Sequence, residues 1–369
     1  MSRNRIEMSK YIFSNIHLAA AAHDPNYESD DKIRWIEGKD ADDLNLMSEA
    51  DVRVLSLSAR TFTVSITNGE DKYFCFCGLT LPPALPTNLE EIDATPGLFA
   101  CVVFCSKLES NATSSQARDI LEQQYLHQDD YKGHDLSAIM NLYPSLYFLK
   151  EKDKNSTPYL NNLERVTGAF ITSGYTTHPL AINQIVIARL LTLFEAGEET
   201  IPFKLPLQGI LSYNWPSLFL ELYRCLEQLY TVLKLKSLVQ KMPYTGALAE
   251  LAYLFEEELA WRPKEQDALA SILAYATDLS RSNILSAFGV DTSTMSEFSS
   301  SKCASFVYKL RNSQVHFRPA MKSTELPITQ WNSIVLAMCD IVDEVYKALG
   351  SDFLNSKTHL APAVENQEI

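Results

Sequence analysis

Apolar and polar positions recur with two different periods along this chain. Between residues 62 and 77 the period is two. Phe62, Val64 and Ile66 alternate with Thr and Ser, and Phe74 and Phe76 alternate with Tyr73, Cys75 and Cys77. Such alternation places successive side chains on opposite faces of a strand. Asn68-Gly69-Glu70-Asp71 lies between the two runs, and its residue types predict a hairpin turn. A further strand is expected over Leu98–Cys105, with Pro82, Pro83 and Pro86 marking a loop before it. Ser114–Gln128 reads as a helix carrying Ala117, Ile120, Leu121 and Tyr125 on one side, and Ala181–Phe194 as another. Residues 24–50 are polar and acid-rich and predict irregular structure with one short strand. The apolar stretches 136–149 and 166–175 carry no period that assigns them.

From residue 206 onward the period becomes helical. Gly197–Pro216 holds Pro202, Pro206, Pro216 and two glycines, which marks a boundary. After it the pattern predicts helices over Pro216–Lys241, Gly246–Trp261, Glu265–Leu279, Thr294–Phe317 and Ile328–Leu349, with short links that suit a bundle. The fold class expected is α+β. A mixed domain over residues 1–205 precedes an all-helical domain over 206–352, and a polar tail fills 353–369.

Composition sharpens this division. The chain has 369 residues, 46% of them apolar, enough to bury ample core. Its net charge of −14 is uneven. Residues 1–200 hold 17 basic against 28 acidic side chains, residues 201–369 hold 15 against 18. A nucleic-acid contact is therefore expected in the second half. Seven cysteines without framework spacing argue for reduced thiols and a cytoplasmic protein. Residues 1–22 only faintly imitate a signal peptide, since Ser14, Asn15 and His17 interrupt the apolar run. No stretch approaches the roughly 20 apolar residues that span a bilayer.

One segment gathers the candidate chemistry. From Phe298 to Thr324 there are five basic residues (Lys302, Lys309, Arg311, Arg318, Lys322) and no acidic one. Thr294 and Glu297 have capping-box spacing at its start, and Pro319 ends it. At about 100° per residue, Asn312 and His316 fall on one helix face, with Arg311 about a third of a turn away. Imidazole titrates near neutral pH and serves as acid or base, while a guanidinium neutralises phosphate charge through its planar fork.

Arg311-Asn312-Ser313-Gln314-Val315-His316 resembles the Arg-x4-His motif of HEPN domains, helical modules of prokaryotic toxins, abortive-infection proteins and CRISPR effectors. The resemblance covers about residues 210–350. It implies a metal-independent endoribonuclease that leaves 2′,3′-cyclic phosphate and 5′-hydroxyl ends, acts as a homodimer through the helical domain and serves as a toxin or anti-phage effector. Arg311, Asn312 and His316 would be catalytic, Lys302, Lys309 and Arg318 would bind RNA, and no cofactor or metal is called for. The N-terminal domain would bind a trigger or regulator. In one HEPN subgroup a tyrosine follows the histidine by two positions, and here that position is Arg318.

Other patterns weigh less. Glu221 and Glu227 sit on the first helix of the second domain, where an acidic residue facing the motif would orient it; a solvated helix face is the simpler account. Cys75, Cys77, Cys101 and Cys105 have C-x-C and C-x3-C spacing, unlike a zinc ribbon, and read as small buried hydrophobes. The alternative function is a helical module that binds RNA or a partner protein without cutting.

Overall fold

The computed structural model describes residues 5–29, 32–38, 40–123, 131–154, 157–175, 180–242, 244–293, 298–315 and 325–354. The chain divides into two compact units, Met1–Gly174 and Tyr175–Ile369. The first is mixed and the second helical, so the fold class is α+β.

The first unit is built on one antiparallel sheet of strands β1 (Asp51–Ser58), β2 (Thr61–Asn68), β3 (Asp71–Cys77), β4 (Leu89–Ile92) and β5 (Leu146–Glu151), in the order β1-β2-β3-β5-β4. The β2–β3 hairpin forms where its pattern predicts, with Asn68 opposite Asp71 and Gly69 at φ 60° in the turn. Its register separates the two aromatic runs. Val64 faces Cys75 and Ile66 faces Tyr73, whereas Phe74 and Phe76 pair with Ser65 and Thr63. Phe62, Val64, Ile66, Cys75 and Cys77 thus belong to the main core, and Phe76 stacks on Phe170 on the opposite face, ring centroids 3.7 Å apart.

The main core is closed by helices α1 (Arg5–His23), α2 (Ala41–Glu49) and α3 (Pro96–Ser106). Two of these overturn the expected pattern. The strand expected over Leu98–Cys105 is α3. Its apolar run is buried on every side from Gly97 to Val103, so no polar face records the helical period. The start signals are local: Thr95 caps the first turn and Pro96 follows it. Residues 41–49, expected to be irregular, form α2 behind the N-cap Asp40. Asp43 on that helix is buried and accepts hydrogen bonds from the Thr95 hydroxyl and the Gly97 amide, 2.5 and 2.8 Å. Its acidity reads as solvation in the sequence and serves as a tie between helices in the fold.

Helix α4 (Ser114–Ala117) continues into a π-helical turn at Arg118–Gln123, and the rest of that expected helix lies outside the described residues. The two unassigned stretches resolve into α5 (Leu136–Met140) with β5, and α6 (Leu163–Ser173).

Among its described residues the second unit is wholly helical: α7 (Gln184–Ala196), α8 (Lys204–Leu211), α9 (Trp215–Glu227), α10 (Val232–Val239), α11 (Leu248–Leu259), α12 (Glu265–Leu273), α13 (Asp278–Ala287), α14 (Ser300–Val315) and α15 (Ile328–Leu354). Helix α15 is the spine, packed by α7, α9 and α13. Helix α7 precedes the composition shift at residue 206 yet lies in this unit, because Arg189 binds Asp340 and Asp343 of α15. Helix α8 occupies the proline-rich stretch, which itself becomes structured.

Two long helices expected from the pattern are broken. Pro216–Lys241 divides after Glu227, where the Tyr346 hydroxyl donates to the Cys225 carbonyl, 2.8 Å. Glu265–Leu279 divides after Leu273, where Arg281 donates to the carbonyls of Leu273, Ala274 and Ala276. Thr277 then caps α13. Helix α14 starts at Ser300, later than Thr294, with the Ser299 hydroxyl accepting from the Lys302 amide at 3.4 Å. Thr294, Glu297 and Pro319 lie outside the described residues.

Candidate functional site

Helix α14 turns Cys303, Ala304, Val307 and Leu310 into the bundle and packs along α12. Arg311, next to Leu310, therefore emerges at the border between core and solvent. Its side chain is 18% exposed. Two carboxylates from two other helices meet it. Nη2 donates to Glu227 Oε1 of α9 at 3.2 Å, and Nη1 lies 3.6 Å from Glu265 Oε2 of α12. Nη1 also donates to the Asn312 side-chain oxygen, 3.0 Å. The guanidinium sits over the Tyr223 ring, 5.7 Å from its centroid, a cation–π contact. Tyr230 donates a hydrogen bond to the Tyr223 hydroxyl, 2.6 Å, which holds that ring from behind.

The electrostatics follow from burial and neighbours. Burial pushes the Glu227 carboxyl above the ordinary glutamate value; Arg311 pulls it down, and Glu265 adds to the rise. Partial burial works against the Arg311 charge, but Glu265 and Glu227 outweigh it and raise its pKa further. The arginine is a permanent cation held in place by two acids at hydrogen-bond and near-contact range.

Of the catalytic and RNA-binding residues expected from the sequence, the structure describes Arg311, Asn312, Lys309 and Lys302. Lys302 and Lys309 are exposed, seven residues apart on α14, whereas Asn312 is half-buried and turned onto Arg311. His316, Arg318 and Lys322 lie outside the described residues. Of the two acids weighed, Glu227 reaches the motif. Glu221 instead pairs with Arg224, 2.5 Å. Glu265 and Tyr223 were not singled out. Nothing local marks them, because the juxtaposition of α9, α12 and α14 is a tertiary fact.

Among the described residues no group of three or more His, Cys, Asp or Glu is placed to hold a metal ion. All seven cysteines are free, and Cys75, Cys77 and Cys101 are buried. No helix among the described residues is long and apolar enough to cross a membrane. Comparison with family models, curated proteins and solved structures found no match.

Proposed function

We propose that this chain is a metal-independent endoribonuclease of the HEPN type, with Arg311, Asn312 and His316 in its site. The observation that carries the reading is the half-buried Arg311, held by Glu227 and Glu265 at the C-terminal end of α14, five residues before His316. A guanidinium fixed in this way keeps donors in a set direction, which suits a phosphate whose charge grows in the transition state. The 2′-oxygen of RNA bonds to the adjacent phosphorus as a base takes its proton. The bond from phosphorus to the 5′-oxygen then breaks, and an acid protonates that oxygen. His316 fills one of these proton roles. Lys302, Lys309 and Arg318 would hold the strand. A homodimer through the helical unit, a trigger or regulator bound by the first unit, a cytoplasmic setting and a part in toxicity or anti-phage defence belong to the same proposal.

A second reading has its own observation in favour. The charge of Arg311 is already met by two carboxylates, while Lys302 and Lys309 stand exposed, as on a module that binds RNA or a partner without cutting. End-labelled RNA, incubated in EDTA with the full chain and its Arg311→Ala and His316→Ala variants, separates the two. Cutting to cyclic-phosphate ends that both variants lose supports the nuclease; RNA binding without cutting supports the module.

A further inference from the structure

In the first unit, α1 and the loop that follows α3 border a cavity of about 680 Å³, within the range of small-molecule sites. Arg60, in the turn between β1 and β2, also lines it. One wall is apolar. Leu18, 71% exposed, stands one helical turn from Ala22, with the small Ala19 beside it. The rest of the lining carries charge of both signs: Arg60, Lys107 and Glu109 all border the cavity, and all are exposed. Among the described residues none of these three forms an ion pair. Opposite charges thus share one cavity without cancelling each other.

Each charge rests on a fixed base. Gly78, at φ 69°, approaches Arg60 so closely that a Cβ there would lie 2.5 Å from the Arg60 carbonyl oxygen. The Cys77 thiol donates to that same oxygen, 3.6 Å. Lys107 is the C-cap of α3 at φ 57°, a left-handed position where glycine is usual. A lysine there is strained, and it keeps an ammonium over the rings of Phe104 and Tyr11, 4.2 and 4.9 Å from their centroids.

Glu109 follows two residues later, on a loop tied to α1. Asn15, 8% exposed, donates to the Leu108 carbonyl at 2.7 Å and accepts from the Ser110 amide at 3.1 Å. The Ser110 hydroxyl and the Asn111 amide both donate to the Leu142 carbonyl. Burial and the Glu109 charge raise the Tyr11 phenol above its ordinary value, while a hydrogen bond with Asn15 lowers it. One ring therefore has the Lys107 cation over its face and the Glu109 anion within reach of its hydroxyl.

We propose that this cavity binds an α-amino acid zwitterion with an apolar side chain, its carboxylate on Arg60 and Lys107, its ammonium at Glu109 and its side chain along Leu18 and Ala22. A simple anion meets the repulsion of Glu109, and a simple cation that of Arg60 and Lys107; a zwitterion satisfies both signs. The ammonium is a primary one, because the Tyr11 face that would cradle a quaternary cation is taken by Lys107. The inference is independent of the ribonuclease reading, since no residue of the second unit takes part.

The probes are L-phenylalanine, glycine, hydrocinnamate and phenethylamine, titrated into the full chain by calorimetry. Hydrocinnamate lacks the ammonium, phenethylamine the carboxylate and glycine the apolar side chain. Phenylalanine is expected to bind at least tenfold more tightly than each of the other three. The exposed single variants Arg60→Gln and Glu109→Gln, confirmed folded by circular dichroism, should each weaken phenylalanine at least tenfold. Leu18→Gln should narrow the gap between phenylalanine and glycine. Absence of phenylalanine binding at millimolar concentration overturns the proposal, as does binding that either charge variant leaves intact. Hydrocinnamate or phenethylamine as tight as phenylalanine would make this a cavity for one sign of charge, and glycine as tight would remove the apolar subsite. Each of these results also overturns the assignment.

Discussion

Arg189 and Arg311 belong to the same helical unit, their side chains are 17% and 18% exposed, and each faces two carboxylates from other helices. Burial does not tell them apart. Their contacts do. Arg189 meets Asp340 at 2.5 Å and Asp343 at 3.1 Å, and a further N–H reaches the Cys339 carbonyl, all on α15. Asp343, only 10% exposed, also binds Lys347 and accepts from the Glu198 amide. This guanidinium is closed around one partner helix. Arg311 has longer contacts, 3.2 and 3.6 Å, to acids that are themselves 30% and 42% exposed, plus its own neighbour Asn312. An arginine saturated by short bonds fastens helices. In the proposed function, one held by longer bonds at the edge of the core keeps donors for a further anion.

The contrast is sharpest in activity. Arg311→Ala is expected to lower RNA cleavage about 10²–10³-fold, the loss typical of removing a charge-stabilising donor. Arg189→Ala should leave cleavage by the folded protein within about twofold. Stability should follow the reverse order. Removing Arg189 leaves Asp343 buried beside Asp340 and should cost about 2–3 kcal/mol in denaturant unfolding. Arg311→Ala should cost about 1 kcal/mol or less, because its acids reach solvent. Equal losses for the two variants would break the distinction.

Glu227 sharpens it further. Its carboxyl is raised in the folded protein, so the folded state binds that proton more tightly than the unfolded chain does. The stability it contributes is fully present below the ordinary glutamate value and is lost as pH rises through the folded value. Glu227→Gln should therefore remove the fall in stability between the ordinary and the folded value and cost nothing at neutral pH, whereas Asp343→Asn should destabilise. Unfolding midpoints measured from pH 4 to 8 check both. The smallest effect concerns the support under Arg311. Tyr230→Phe removes the hydrogen bond to Tyr223 and should cost about 1 kcal/mol with little change in cleavage.

What could be read from the sequence depended on whether a pattern had two faces. The β2–β3 hairpin was legible because its turn and its alternation agree. Helix α3 was not, because burial on all sides erased its period and left only Thr95 and Pro96 to mark it. Helix α2 was hidden by acidity that Asp43 spends on α3. The breaks after Glu227 and Leu273 depend on Tyr346 and Arg281, side chains distant in sequence that take up helix-end carbonyls. In the site, Arg311 and Asn312 stood out through a local motif, whereas Glu227 was weighed beside Glu221 and read more simply as a solvated helix face. Glu265 and Tyr223 required the packing of α12 and α9 against α14.

The central claim is that Arg311 and His316 cut RNA. Its most direct measurement is cleavage of a 5′-labelled RNA in EDTA by the full chain, beside folded Arg311→Ala, His316→Ala and Arg189→Ala. The account predicts 2′,3′-cyclic phosphate ends from the parent and from Arg189→Ala, with loss of at least 100-fold in the other two. Equal cutting by all four, or none by the parent and its isolated helical unit alike, would contradict it.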